Sequence, residues 1–158
     1  MFKTSAVIIK GQFPGLTLSH LLHFYERELH YQNVSHSSVA GNVITFSNNT
    51  FKFVINRYAN KFSSFSTGQI TIEDSANQFV IYFQASTKRL LINAGIIAIT
   101  ATFFLLFDAG FNAFTIIAGA LVFVLFIITG YVITSVSFPV YFVRLRNRVE
   151  EELEMMNN

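Results

Sequence analysis

The stretch ASTKRLLINAGIIAI, residues Ala85–Ile99, decides the fold because its two halves suit two different solvents. Before Lys88 the chain alternates between polar and apolar residues, as a β-strand at a water interface does. After Arg89 the chain is almost wholly apolar and keeps a single polar side chain, that of Asn93, up to Ile99. We therefore predict that a folded domain runs directly into a membrane span at this point.

Two apolar runs, over residues 90–107 and 114–138, are each long enough to cross a bilayer. A spanning helix needs roughly 20 apolar residues, and Asp108 is the only charged residue between Asn93 and Val143. The connection DAGFNA at 108–113 is short, so the two helices must run antiparallel. The sequence therefore predicts a transmembrane hairpin over 87–138 with an external loop at 108–113.

Basic residues indicate which side of the membrane the two ends of the chain occupy. Short cytoplasmic flanks are enriched in Lys and Arg. The loop carries neither, whereas the flanks of the hairpin carry Lys88, Arg89, Arg144, Arg146 and Arg148. The apolar run near the N-terminus is too short for a signal peptide. We expect an integral protein of a bacterial plasma (inner) membrane, with both termini in the cytoplasm.

Residues 1–86 have the pattern of a cytoplasmic α+β domain. KTSAVIIK is a strand, and apolar residues at helical spacing predict a helix over 18–31 with Thr17 as its N-cap. Two hairpins follow, NVITF with TFKFVINRY and GQITIED with QFVIYFQA. The Ser-rich stretches NVSHSSVAGN and NKFSSFSTG are expected to be mobile loops. The predicted order is β-α and then an antiparallel meander, with the helix on one face.

Residues 139–158 form the predicted cytoplasmic tail. Leu145, Val149, Leu153 and Met156 recur at helical spacing, which predicts a short amphipathic C-terminal helix after Pro139. The fold class is thus an α+β membrane protein with a two-span hairpin and a partly helical tail.

The composition excludes several classes of function. With 52% hydrophobic and 13% charged residues, the chain suits a lipid bilayer better than a larger soluble core. The basic residues are few and flank apolar segments, so we expect no nucleic-acid partner. No Cys is present, and no nucleophile elbow, phosphate-binding glycine loop or zinc-protease motif occurs. We expect no enzyme activity and no cofactor.

One polar helix face is a candidate binding surface, formed by His20, His23, Arg27 and His30. Residues three and four apart meet on a helix, so this row can bind an anion or a partner protein. A metal is a weaker alternative because the fixed charge of Arg27 would repel it. The third reading is a solvated surface without a ligand.

Small and mildly polar residues in the two spans are candidate helix–helix contacts, since they let helices approach closely. They are Asn93, Ala94, Ala98, Thr102, Thr115, Gly119, Gly130 and Thr134. The contact is either within the hairpin or with another protein.

These features favour a non-enzymatic accessory, assembly or regulatory subunit of a larger membrane complex, with its domain docked at the cytoplasmic face. Its partners would be the lipid bilayer and other membrane subunits or a second copy of itself. The alternative is a cytoplasmic domain that senses a small ligand and is coupled to a two-span effector that oligomerises and perturbs the membrane.

Overall fold

Besides one 3₁₀ turn at Lys10–Gln12, five strands and three α-helices form in the part of the chain that the computed structural model describes, residues 1–13, 15–49, 61–62, 64–110 and 113–157. In chain order they are β1 (Phe2–Ile9), α1 (Leu18–Tyr31), β2 (His36–Ala40), β3 (Val43–Ser47), β4 (Thr67–Asp74), β5 (Gln78–Ser86), α2 (Lys88–Ala109) and α3 (Ala113–Asn157). The predicted α+β class is confirmed. Both α2 and α3 are long and apolar enough to cross a membrane.

The strands form one antiparallel sheet in the order β1-β5-β4-β3-β2. Strands β2 to β5 form an antiparallel meander in which β3, β4 and β5 correspond to predicted strands. Strand β1 is added beside β5, with Phe2 opposite Ala85 and Ala6 opposite Ile81. The predicted hairpin of GQITIED with QFVIYFQA is confirmed as β4 and β5. The chain leaves β1 at one edge and reaches β2 at the other, so α1 crosses the sheet between them.

The prediction of a mobile loop over NVSHSSVAGN is wrong, because the middle of this stretch forms strand β2. This strand pairs with β3 through a two-residue turn at Gly41 and Asn42, and Gly41 has a φ of 61°. A glycine with positive φ at the first turn position is what a type II′ hairpin needs. All five residues of β2 are exposed, which explains why a hydrophobic pattern did not reveal the strand.

The second predicted loop, NKFSSFSTG, forms neither helix nor strand at its described residues 61–62 and 64–66, but part of it packs into the core. Phe62 and Phe65 are fully buried, and Thr67 and Gly68 already belong to β4. The strand predicted from TFKFVINRY lies outside the described residues. The strand that pairs with β3 on the side away from β2 is β4.

The hydrophobic core lies on one face of the sheet, which we call the inner face. Buried and exposed side chains alternate along β3, β4 and β5, as a sheet covered on one side requires. Gly68 has a specific part in this packing, because a Cβ there would lie 2.5 Å from the Phe46 ring and 2.9 Å from Ala85 Cβ. The missing side chain makes room for Phe46, which stacks on Phe83 with a centroid distance of 5.8 Å.

The largest difference from the prediction is that the apolar run and the tail form one helix. α3 continues through Pro139 for 45 residues, where a separate short helix was expected. Proline removes a single hydrogen bond from the helix ladder, and Phe138 before it and Phe142 after it are anchored in the core. Phe138, Phe142, Leu145 and Val149 form a buried stripe on α3 that belongs to the same core as the sheet and α1.

Aromatic contacts tie this stripe to the inner face. The Phe138 ring lies 4.4 Å from that of Phe83 and 4.9 Å from that of Phe65. One turn further, Phe142 lies 5.8 Å from Phe83 and 5.9 Å from Tyr25 of α1. Helices α1 and α3 therefore share the inner face, and α3 supplies the part of the layer that lies over β1.

The connection of the sheet to α2 is a single residue, Thr87. The helix pair leaves from the end of the sheet where β5 finishes, which we call the junction end. Beyond it Leu90 packs against Gly130, where a Cβ would lie 3.2 Å from Leu90 Cδ2. The apolar part of the hairpin therefore points away from the sheet, and α3 returns along the inner face.

Replacing Phe142 with Ala tests whether α3 is part of the core. Removing a fully buried Phe ring should cost about 3–5 kcal/mol of unfolding free energy, which would lower the thermal midpoint of the detergent-solubilised chain followed by near-ultraviolet circular dichroism. Val143→Ala is the matched control at the next position, 43% exposed, and should change the stability by less than about 0.5 kcal/mol. Equal effects of the two changes would contradict the packing described here.

Candidate functional site

The polar face of α1 lies on the surface, because the apolar residues of the helix lie on its opposite face. Leu21, Phe24, Tyr25 and Leu29 are buried against the sheet, which turns the opposite face outward. His20, His23, Arg27 and His30 are all exposed. The helix starts as predicted, since the Thr17 side chain accepts a hydrogen bond from the His20 backbone N–H at 3.3 Å.

Three of these four residues border a cleft between α1 and the C-terminal part of α3. His20, His23 and Arg27 form one rim and Glu152 of α3 forms the other, around a volume of about 190 Å³. The floor is apolar and consists of Leu16, Phe24, Val149 and Leu153. His30 lies one turn further along α1, outside the cleft. An apolar floor with a polar rim suits a ligand or one side chain of a partner. Because the cleft is smaller than the sites of drug-sized molecules, such a ligand would have to be small.

Arg27 is held in place by residues from both helices. Its guanidinium forms an ion pair with Glu152 and lies 5.4 Å from the centre of the Phe24 ring. The hydrogen bond to Glu152 raises the pKa of Arg27 above its ordinary value. Among the described residues no three His, Cys, Asp or Glu side chains come close enough to hold a metal ion, so the structure offers the metal alternative no support.

A second polar link between α1 and α3, at Glu28, escaped the sequence prediction. The Glu28 carboxylate accepts hydrogen bonds from the Tyr141 hydroxyl at 2.5 Å and from Gln32 Nε2 at 3.1 Å. Arg148 lies 3.7 Å from its other oxygen. The Tyr141 ring packs 6.1 Å from that of Phe62. The contact joins residues far apart in the chain, so no local pattern reveals it.

The buried tyrosines next to this link keep their protons. Burial raises the pKa of the Tyr25 hydroxyl well above its ordinary range. Burial, followed by the hydrogen bond to Glu28, raises the pKa of Tyr141 in the same direction. Both hydroxyls are therefore neutral under physiological conditions, and Tyr141 acts as a hydrogen-bond donor to Glu28.

The basic residues expected to orient the hairpin lie in different surroundings. Lys88 is exposed at the start of α2, whereas Arg89 is only 7% exposed. On α3, Arg146 lies 3.5 Å from Glu150, and Arg144 is exposed. Because a helix rises about 1.5 Å per residue, these arginines and Arg148 lie roughly 10–15 Å beyond Phe138. They accompany the folded domain rather than the end of the apolar hairpin.

The candidate helix–helix residues lie mainly between α2 and α3. Ala94, Ala98, Thr115 and Thr134 are buried, and Asn93 and Thr102 are half-buried. Thr102 packs on Gly119, where a Cβ would lie 3.2 Å from Thr102 Cβ, and Gly130 packs on Leu90 as described above. The Thr102 hydroxyl donates to the Ala98 carbonyl at 2.8 Å, so it is satisfied within its own helix. The small residues are thus used inside the hairpin.

We call the second face of the sheet the outer face. Among the described residues, no helix packs against it. At the end remote from α2 it exposes an apolar patch formed by Val7, Ile9 and Tyr82, each 41–51% exposed, with Val80 half-buried among them. The sequence indicates this patch, because β5 is apolar at successive positions. β5 lies between β1 and β4, which covers its edges but not this face.

No protein-family model, curated protein sequence or solved structure matches this chain. Its function is therefore inferred from the surfaces described above.

A pair of introduced cysteines tests the contact between α2 and α3. The chain has no Cys, and Cβ atoms in disulfides lie about 3.8 Å apart, close to the separation at residues 102 and 119. Oxidation of the Thr102→Cys, Gly119→Cys chain in membranes should give an intramolecular disulfide, seen by intact mass. Thr100→Cys with Gly119→Cys is the control, since Thr100 is exposed on another side of α2. Equal yields from both pairs, or mainly disulfide-linked dimers, would contradict the packing.

Proposed function

We propose that this chain is a non-enzymatic accessory subunit of a membrane protein complex, which holds a small α+β domain at the cytoplasmic face of the membrane. Helix α2 and the first part of α3 cross the bilayer as a hairpin, and both chain ends lie in the cytoplasm. The asymmetry of Lys and Arg supports this orientation, because Lys88 and Arg89 stand at the start of α2 and residues 108–113 contain no basic residue. The membrane is a bacterial plasma membrane.

The observation that carries the proposal is the continuity of α3. The same helix supplies an apolar segment long enough to cross a bilayer and four buried residues of the domain core. The domain therefore cannot detach from the hairpin or rotate freely on it. Such an arrangement suits a subunit that presents one surface to a partner at a fixed height above the membrane.

The outer face of the sheet is the surface we assign to the partner. Its apolar patch of Val7, Ile9, Val80 and Tyr82 is contiguous across β1 and β5, with Val7 opposite Val80 in the register. Apolar patches rimmed by polar residues mark protein interaction sites. Tyr82, opposite Ser5 at one edge of the patch, combines a large apolar area with a polar hydroxyl, as interface residues commonly do.

A photoreactive phenylalanine analogue at Tyr82 tests this assignment in native membranes. Irradiation should give one discrete adduct of higher mass, because the side chain would lie in the interface. The same analogue at Tyr31 is the control, since that tyrosine is 87% exposed on a different surface, at the end of α1, and should give no adduct. Absence of a Tyr82 adduct, or the same adduct from both positions, would overturn the docking surface.

A ligand sensor is the second candidate function, and the cleft between α1 and α3 favours it. A ligand that displaced Glu152 from Arg27 would act directly on the helix that continues into the span. Overexpression distinguishes the two functions. An accessory subunit leaves the membrane intact, whereas an effector that oligomerises in response to a ligand makes the membrane leaky. In the second case the Arg27→Gln variant should lose the leak.

A further inference from the structure

The outer face has a second, polar region at the junction end of the sheet, next to the start of α2. The register places Ser86, Thr67 and Ser47 in one row across β5, β4 and β3. The next row along the strands is Gln84, Gln69 and Thr45. Alternation along each strand turns all six side chains to the same face. We call the depression that they line the junction hollow.

The junction hollow has the volume and chemistry of a site for a polar group. Its volume is about 480 Å³, within the range of small-ligand sites. Six residues with a hydroxyl group and two with an amide group line it, together with the apolar Met1, Phe46 and Ala85, and the imidazole of His36 lies at the β2 rim. The hydroxyls of Ser38 and Thr45 form a hydrogen bond of 2.8 Å there. No carboxylate lies among the described residues that line the hollow, so an anion placed there meets donors and no opposing charge from them.

The position of the hollow relative to the hairpin sets what can reach it. Ser86 is followed by Thr87 and then by Lys88, the first residue of α2. Two residues of a strand span about 7 Å, so the two rows occupy a layer of about that thickness beside the start of the span. The headgroup region of one leaflet is roughly 5–8 Å thick. With the edge of the hydrocarbon core at the start of α2, as the proposed anchoring places it, the two rows lie at the level of the headgroups.

We propose that the junction hollow binds the headgroup of a phospholipid that carries a phosphate and free hydroxyls, as phosphatidylglycerol does. This rests on the proposed membrane anchoring. The Ser and Thr hydroxyls and the Gln amides donate to the phosphate oxygens, and the Gln carbonyl oxygens accept from the glycerol hydroxyls. Lys88 is exposed and adds a positive charge at the same level. Choline headgroups have no hydroxyl or N–H group to donate, so the hollow should discriminate against them.

Native mass spectrometry of the full chain released from lipid nanodiscs tests this site. In discs of equal phosphatidylglycerol and phosphatidylcholine, the wild-type chain should retain mainly phosphatidylglycerol. Gln69→Glu combined with Gln84→Glu places two carboxylates in the hollow with almost no change of shape. Charge repulsion of a phosphate at contact distance should lower the retained phosphatidylglycerol at least about fivefold.

Gln78→Glu is the matched control. It makes the same change on the same face of β5, but six residues from Gln84 and therefore about 20 Å away, beyond the screening length of about 8–10 Å. It should retain phosphatidylglycerol like the wild type. Unchanged retention by the double variant, or equal retention of the two lipids by the wild type, would overturn the headgroup site.

Two further measurements separate this site from its alternatives. Release of the chain from membranes by alkaline carbonate would overturn the anchoring itself, whereas an anchored chain without lipid preference would overturn the hollow alone. Free glycerol 3-phosphate should not displace the bound lipid, because it lacks the acyl chains that hold the lipid beside the hairpin. Displacement by it would identify a soluble phosphate ligand and overturn the lipid assignment.

Discussion

The buried stripe of Phe138, Phe142, Leu145 and Val149 on α3 is the contact on which the rest of the structure depends. A five-stranded sheet with one helix would leave the inner face of β1 and β5 partly open, since α1 lies over β2, β3 and β4. Burying aromatic side chains there is strongly favourable, by roughly 1.5–3 kcal/mol for each fully buried ring. The helix that brings them is the same helix that carries the second apolar run, so folding of the domain and placement of the hairpin are one process.

This constraint gives the domain a fixed orientation. The sheet is joined to α2 through Thr87 alone, and α3 returns from the hairpin without interruption. Two short, rigid connections at one end of the sheet leave no flexible linker of the kind that lets a domain move independently. The polar links Arg27–Glu152 and Tyr141–Glu28 then fix α1 against α3. The outer face keeps its polar end beside the start of the hairpin and its apolar patch at the far end, which is why the two are assigned to lipid and to protein.

Local patterns in the sequence predict the parts of this fold that depend on local rules. The helix over 18–31 follows from the spacing of its leucines, the β4–β5 hairpin from alternation on both sides of a turn, and the two long helices from their apolar runs. The sequence pattern did not predict strand β2, because an edge strand that buries no side chain has no hydrophobic pattern. The Gly41-Asn42 pair was its only local signal, through the positive φ that a tight hairpin needs.

The continuity of α3 also has a local signal in the sequence, although Pro139 suggests that a helix ends there. The helical spacing of Leu145 and Val149 extends backwards to Phe142 and Phe138, across the proline, and this extension predicts the stripe. The cleft between α1 and α3 and the Glu28–Tyr141 hydrogen bond could not be predicted, since they depend on which helices the sheet brings together. His20, His23 and Arg27 were identified as one face, whereas their partner Glu152 came from the far end of the chain.

Distance measurement between two spin labels on α3 tests the central claim most directly. Cysteines are introduced at Leu121 and Asn147, both exposed. Because the chain has no Cys of its own, the spin labels attach at these two positions alone. One uninterrupted helix places them 26 residues apart, a separation of about 39 Å at 1.5 Å per residue. The account predicts a narrow distribution centred near that value for the chain in lipid nanodiscs. A broad distribution, or a clearly shorter mean, would show that the helix breaks between the apolar run and the domain and would contradict it.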